Sequence, residues 1–182
     1  MTLKFQLITE FWFSDRVRAN WWTKNPAFDQ ELRDRFSSTH QRAVQGELAG
    51  WRATPEGRLA EIIVLDQFSR NMFRDLAGSF AHDAQARELT YDAIKHMDDR
   101  ALVPEQRAFL YMPLMHSESA ADHDEAVRLY SSDPALSNNL NFELKHKAII
   151  DRFGRYPHRN KILGRKSSAE ELAFLQQPGS TF

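Results

Sequence analysis

Three stretches of this chain bring acids, bases and hydrogen-bond donors together at spacings that could serve chemistry. In "LDQFSRNMFR" (residues 65–74), Asp66 stands four residues before Arg70, and Asn71 and Arg74 follow. In "YMPLMHSES" (111–119), His116 is followed two positions later by Glu118. In "RFGRYPHRN" (152–160), Arg155, His158, Arg159 and Asn160 form part of a segment with three arginines and a histidine in nine residues. Guanidinium forks and amide donors suit a phosphate or carboxylate, whether on a ligand or on an acid such as Asp66. His116 or His158 could serve as a general base, oriented by Asp66. The structural alternatives are ordinary: cations favour a helix C-terminus, and a histidine on an apolar face is commonly a satisfied core residue.

Helices must position these groups. Helical periodicity with start and stop punctuation dominates the chain: Asn25-Pro26 and Thr54-Pro55 read as N-cap and first helical position. Gly50 is expected past the end of the helix that Asn25 opens. Pro104 and Asp133-Pro134 open further segments, and Ser167 with Glu170 reads as a capping box. Only "LKFQL" (3–7) alternates like a strand, and a lone strand has no sheet to join, so it is expected to enter the first helix. The prediction is an all-α chain of seven or eight helices, an array of antiparallel helix pairs forming one domain over residues 1–182.

The helix from Thr54 toward Arg74 is the most informative. At about 100° per residue, Leu59, Ile62, Ile63, Asp66, Arg70 and Phe73 share a face, while Val64, Leu65, Phe68 and Met72 fill the opposite side. That pattern predicts burial nearly all round. An exposed pair like Asp66–Arg70 is worth only about 0.3–0.5 kcal/mol, and a buried arginine has more donors than one aspartate uses, so a further acceptor is required. Two more helices place a histidine among apolar residues: Phe109, Met112 and His116, then Phe142, His146, Ile149 and Phe153. Pro113 is expected to kink the first of these and free the Phe109 carbonyl. His116 and His123, seven apart, would share a face if one helix held both, which is a weak metal pattern. Phe153 ends its stripe at Gly154, a natural C-cap, and Pro157 makes the following "RYPHRN" a loop.

Composition narrows the function classes. With no cysteine among 182 residues, thiolate nucleophiles, disulfides and cysteine-held metals are excluded, and a reducing, cytoplasmic setting is expected. No signal-peptide pattern and no long apolar window is legible, so no membrane association is expected. A formal net charge of -1 hides an asymmetry: residues 141–166 carry eight Lys/Arg against two acids, and residues 116–133 carry five acids against one Arg. These segments are expected to face each other. Nucleic-acid binding is not expected from a slightly acidic chain without a recognised module. The aromatic "FWF" (11–13) and Trp21-Trp22 read as core anchors rather than a cofactor box.

"FWF" (11–13), "LDQFSRNMFR" (65–74), "YMPLMHSES" (111–119) and "RFGRYPHRN" with "LGRKSSAEE" (163–171), in this order, resemble the bacterial family called domain of unknown function 924. The resemblance spans nearly the whole chain. It implies an all-helical fold similar to tetratricopeptide-repeat arrays and carries over no catalytic assignment. Ser69 and Tyr156 differ from the Pro and Phe frequent in that family, which argues against essential roles for those two side chains. Three functions are consistent with the residues. The preferred one binds a small anionic or polar ligand in a pocket between helices, lined by Asp66, Arg70, Asn71, Arg74, His116, Glu118, Arg155, His158, Arg159 and Asn160. A second is an enzyme at the same place, such as a hydrolase of anionic esters, with His116, His158 and Asp66 as catalytic candidates. The third is a scaffold whose polar motifs only fix helix packing for a protein partner. No metal or cofactor is expected, and oligomeric state is left open.

Overall fold

The computed structural model describes residues 4–180, and among these every regular element is a helix. The α-helical segments are α1 (Gln6–Trp12), α2 (Asp15–Arg18), α3 (Pro26–Val44), α4 (Pro55–Ile63), α5 (Ser69–Met72), α6 (Asp83–Lys95), α7 (Pro104–Met115), α8 (Ala120–Tyr130), α9 (Ser137–Phe153) and α10 (Ala169–Phe174). A π-helical turn, Val64–Phe68, joins α4 to α5 without a break. Counting that run as one gives nine helices among the described residues, against the seven or eight expected. The surplus comes from single-turn pieces such as α2, whose four residues are too short to leave a periodic pattern. Leu3 of the alternating run lies outside the described residues, while Gln6 and Leu7 are in α1 as expected.

Capping chemistry sets most boundaries. The Asn25 side chain accepts from the Ala27 and Phe28 amides, and Thr54 accepts from Gly57. α3 stops at Val44, and Gly46, with φ of 75°, turns the chain, so Gly50 instead sits inside a 3-10 turn at Ala49–Ala53. At α10 the capping box is displaced by one: Ser168 accepts from the Glu171 amide and Glu171 accepts from the Ser168 amide. The doubled "SSAEE" permits either register. Arg155 selects this one by pairing in bidentate fashion with the buried Glu171. Gly57 is obligatory, since a Cβ there would sit 2.0 Å from the Trp51 carbonyl oxygen.

The core is aromatic and continuous from α1 through α8. Phe11, Trp12, Phe28, Phe36, Phe68 and Phe109 are buried, with Phe11 and Phe36 centroids 4.9 Å apart and Trp12 and Phe109 5.6 Å apart. Each such ring contributes about 1.5–3 kcal/mol through burial. Trp22 departs from the expected anchoring: it is 69% exposed, although it stacks on Phe109. Every residue from Leu59 to Ser69 is buried, as the two-sided apolar pattern predicts. α7 runs on through Pro113 to Met115, with the His116 amide bonded to the Met112 carbonyl. Phe142 is exposed, so the α9 stripe buries only His146 and Ile149 fully, with Phe153 half-buried. No helix among the described residues is long and apolar enough to cross a membrane.

The acidic and basic segments do meet. α8 packs on α9, where Lys147 lies 3.1 Å from Asp124 and His123 lies 2.6 Å from Glu143. Beyond Gly154, which caps α9 with φ of 67°, the chain turns back through a 3-10 turn at Pro157–Arg159. Glu118 holds that returning segment, accepting from the Tyr156 amide and from both terminal nitrogens of Arg165.

Candidate functional site

The π turn places Asp66 at the centre of a polar seam inside an otherwise apolar helix. Asp66 is 1% exposed. Its Oδ1 lies 2.8 Å from His116 Nδ1 and 2.9 Å from Arg70 Nη1, and its Oδ2 accepts from Gln67 Nε2 at 2.6 Å. A π turn breaks the regular carbonyl ladder, and side chains here bond to backbone oxygens: Arg70 Nη1 donates to the Asp66 carbonyl and Ser69 Oγ to the Leu65 carbonyl. The further acceptor required for Arg70 is Asp83, in the first turn of α6, at 3.0 and 3.1 Å. Arg159 reaches the same Asp83 at 3.0 Å and donates to the His116 carbonyl at 2.8 Å. Its guanidinium also lies over the rings of Phe80 and Tyr156.

Charge counting fixes the protonation states. Asp66 and Asp83 bring two negative charges; Arg70 and Arg159 bring two positive ones. A proton on His116 would therefore be uncompensated. Burial lowers the His116 pKa from the ordinary imidazole value, reinforced by the Arg70 charge and opposed by Asp66. Burial works against an ionised Asp66 as well, but Arg70 and His116 outweigh it and hold its carboxyl below the usual carboxylate range. An ionised carboxylate only accepts, so His116 Nδ1 carries the hydrogen and Nε2 carries the lone pair. Among the described residues Nε2 takes part in no hydrogen bond.

His116 stands on the wall of an open hollow of about 300 Å³. Its lining combines apolar residues, Ala77, Phe80, Ala81, Ala84 and Leu163, with Asp83, Arg87, His116, Ser117, Glu118 and Arg159. Arg87, on α6, makes one long contact of 3.3 Å to Asp122 and no other hydrogen bond among the described residues. Ser117 donates its hydroxyl to Asp122.

Of the residues expected from the sequence, Asp66, Arg70, His116 and Arg159 meet at this seam, and Glu118 lines the hollow beside them. Asn71 and Arg74 do not join. Both bind Asp29 of α3: Asn71 donates to it from within α5, and Arg74, which lies beyond the helix end at Met72, pairs with it through two nitrogens. Arg155 turns away to Glu171, and Asn160 donates to Ser167. His158 is pushed down to about 4 by burial, with Arg159 adding to it, and it does not line the hollow. His116 and His123 share no helix, since α7 ends at Met115, just before His116, and residues 116–119 separate it from α8. Among the described residues, no group of three or more His, Cys, Asp or Glu could hold a metal ion. Sequence reasoning missed Asp83, Arg87, Ser117 and Phe80. Asp83 and Arg87 repeat the acid-first, four-apart spacing of Asp66 and Arg70, which was the available signal.

Comparison with known proteins gives the kinship of this arrangement without a chemistry. No curated protein matches the chain. A solved structure of a protein of unknown function from Agrobacterium tumefaciens is similar, with a TM-score of 0.88 and 36% identity over 94% of this chain and 96% of that one. The family model described as bacterial protein of unknown function matches residues 8–179. The chain therefore belongs to the bacterial family of unknown function DUF924.

Proposed function

We propose that this protein binds a small anionic ligand in the hollow between α6, the end of α7 and the Pro157–Arg159 turn. The observation that carries this reading is His116: Nδ1 is fixed on a buried carboxylate, while Nε2 is unengaged on a residue lining a hollow of about 300 Å³. The buried His123, by contrast, engages both ring nitrogens. Arg87 supplies the anion contact, since its donors are largely unspent on protein acceptors. The apolar lining residues, Phe80 and Leu163 among them, accept the rest of the ligand. The scaffold alternative is less favoured, because a purely architectural network has no need of an open hollow at its edge. We read the packing of α6 on α7, α7 on α8 and α8 on α9 as an array of antiparallel pairs similar to tetratricopeptide-repeat arrays, with sequential contact as the support. A single domain in the cytoplasm completes the reading.

Thermal-shift titration with a panel of small carboxylates and phosphates tests it. At least one anion raises the Tm of the wild type in a saturable way, and neither His116→Ala nor Arg87→Ala responds to it. A panel without a responder, or a response that survives both substitutions, defeats the reading.

A further inference from the structure

We infer that the Asp66–His116 pair is a general base that activates water against a small ester carrying a separate anionic group. This inference rests on the binding reading above and adds a reaction to it. The geometry supplies three things that such a step needs. Asp66, buried and held by Arg70 and Gln67, fixes the imidazole edge through Nδ1 at 2.8 Å. His116 Nε2 is left unengaged, and the residue lines a hollow that is open to solvent, so water has access to it. Arg87, which also lines the hollow, receives the anionic group and sets the ester's orientation.

The step balances without an oxidant or a cofactor. A water O–H proton passes to His116 Nε2 as the water oxygen bonds to the carbonyl carbon, and the carbonyl electron pair moves onto its oxygen. The carbonyl then re-forms, the bond from carbon to the leaving oxygen breaks, and the proton on Nε2 passes to that oxygen. The products are a carboxylic acid and an alcohol. Water is the nucleophile because the hydroxyl in the hollow's lining, that of Ser117, is committed to Asp122 and the chain has no cysteine. An ester fits a single acid–base group, since its leaving oxygen needs only the one proton that His116 returns. Asp66 acts through His116 and is a positioning residue.

The probe is 4-acetoxybenzoate, an aryl ester with a carboxylate remote from the reacting bond, tested on the full chain. The wild type accelerates its hydrolysis saturably. His116→Ala and His116→Gln each lower kcat/KM about 10²–10⁴-fold, the range for loss of a general base, while circular dichroism and Tm show a folded protein. In the wild type kcat/KM falls with acidification through a midpoint below 6.5, the ordinary histidine value. Asp66→Asn moves that midpoint lower, which a merely structural aspartate would not do. Arg87→Ala raises KM for 4-acetoxybenzoate by a larger factor than for neutral phenyl acetate. Binding of the product, 4-hydroxybenzoate, is followed separately by NMR. Product binding without turnover overturns the general base and leaves the binding reading standing. Absence of both turnover and binding overturns both for this ligand class. A burst of acyl-enzyme abolished by Ser117→Ala overturns water as the nucleophile.

Discussion

His116 and His123 stand seven residues apart, and each sets Nδ1 against a buried carboxylate: Asp66 at 2.8 Å for the first, Glu143 at 2.6 Å for the second. Their outer nitrogens differ. His123 Nε2 lies 2.9 Å from the Ser117 carbonyl and 3.3 Å from the Tyr156 hydroxyl, and the His123 and Glu143 side chains are 0% exposed. His116 leaves Nε2 unengaged and is 17% exposed at the hollow. Charge also differs. Two arginines balance the acids around His116, whereas burial raises the Glu143 carboxyl with only His123 and the more distant Lys147 to oppose it. The same two residue types thus make a closed clasp between α8 and α9 in one place and an open, oriented base in the other. What distinguishes them is the partner of the second ring nitrogen.

Stability separates the two pairs most strongly. Glu143→Ala leaves His123 buried without its carboxylate and is expected to cost about 3–5 kcal/mol in urea unfolding, the range for breaking a buried pair. His116→Ala is expected to cost about 1–2 kcal/mol, because Asp66 keeps Arg70 and Gln67. Equal losses would erase the distinction. Tyr156→Phe removes a hydroxyl that donates to the Met115 carbonyl at 2.5 Å and touches His123. About 1 kcal/mol is expected from that change, with ligand binding in the hollow retained.

The smallest effect in energy is the pH response, and it has a definite sign. The folded protein lowers the His116 pKa, so it takes up that proton less readily than the unfolded chain does. The stability from neutral His116 is complete above about 6.5 and is lost as pH falls from there through the folded value. An NMR titration of the His116 ring should show a midpoint below 6.5, shifted further down in Asp66→Asn. A midpoint at or above 6.5 would mean that Asp66, not burial with Arg70, dominates the ring.

Much of the architecture is legible in the residues alone. The caps at Asn25, Thr54 and Gly154 need only local rules, and so does the burial of residues 59–69. The need for an acceptor beyond Asp66 follows from counting the donors of Arg70. Its identity, Asp83, does not, because an aspartate in the first turn of α6 looks like an ordinary helix-dipole partner. A strict 100° rotation carries Arg74 onto the Arg70 face, but the helix ends first, and Asp29, distant along the chain, accepts from Arg74 and from Asn71 alike. Register at α10 was ambiguous between two equivalent capping boxes until Arg155 chose one. Local grammar fixes where helices begin. Which acid each cation meets depends on segments distant along the chain.

The wide turn at Val64–Phe68 has an evolutionary consequence. A π turn carries one residue more than an ordinary helix over nearly the same rotation, so dropping one of the five while the backbone relaxes to ordinary pitch would leave Arg70 facing Asp83. Relatives that share this seam should therefore be able to differ in length within those five positions by a single residue, the one change that keeps the cations downstream on their acids.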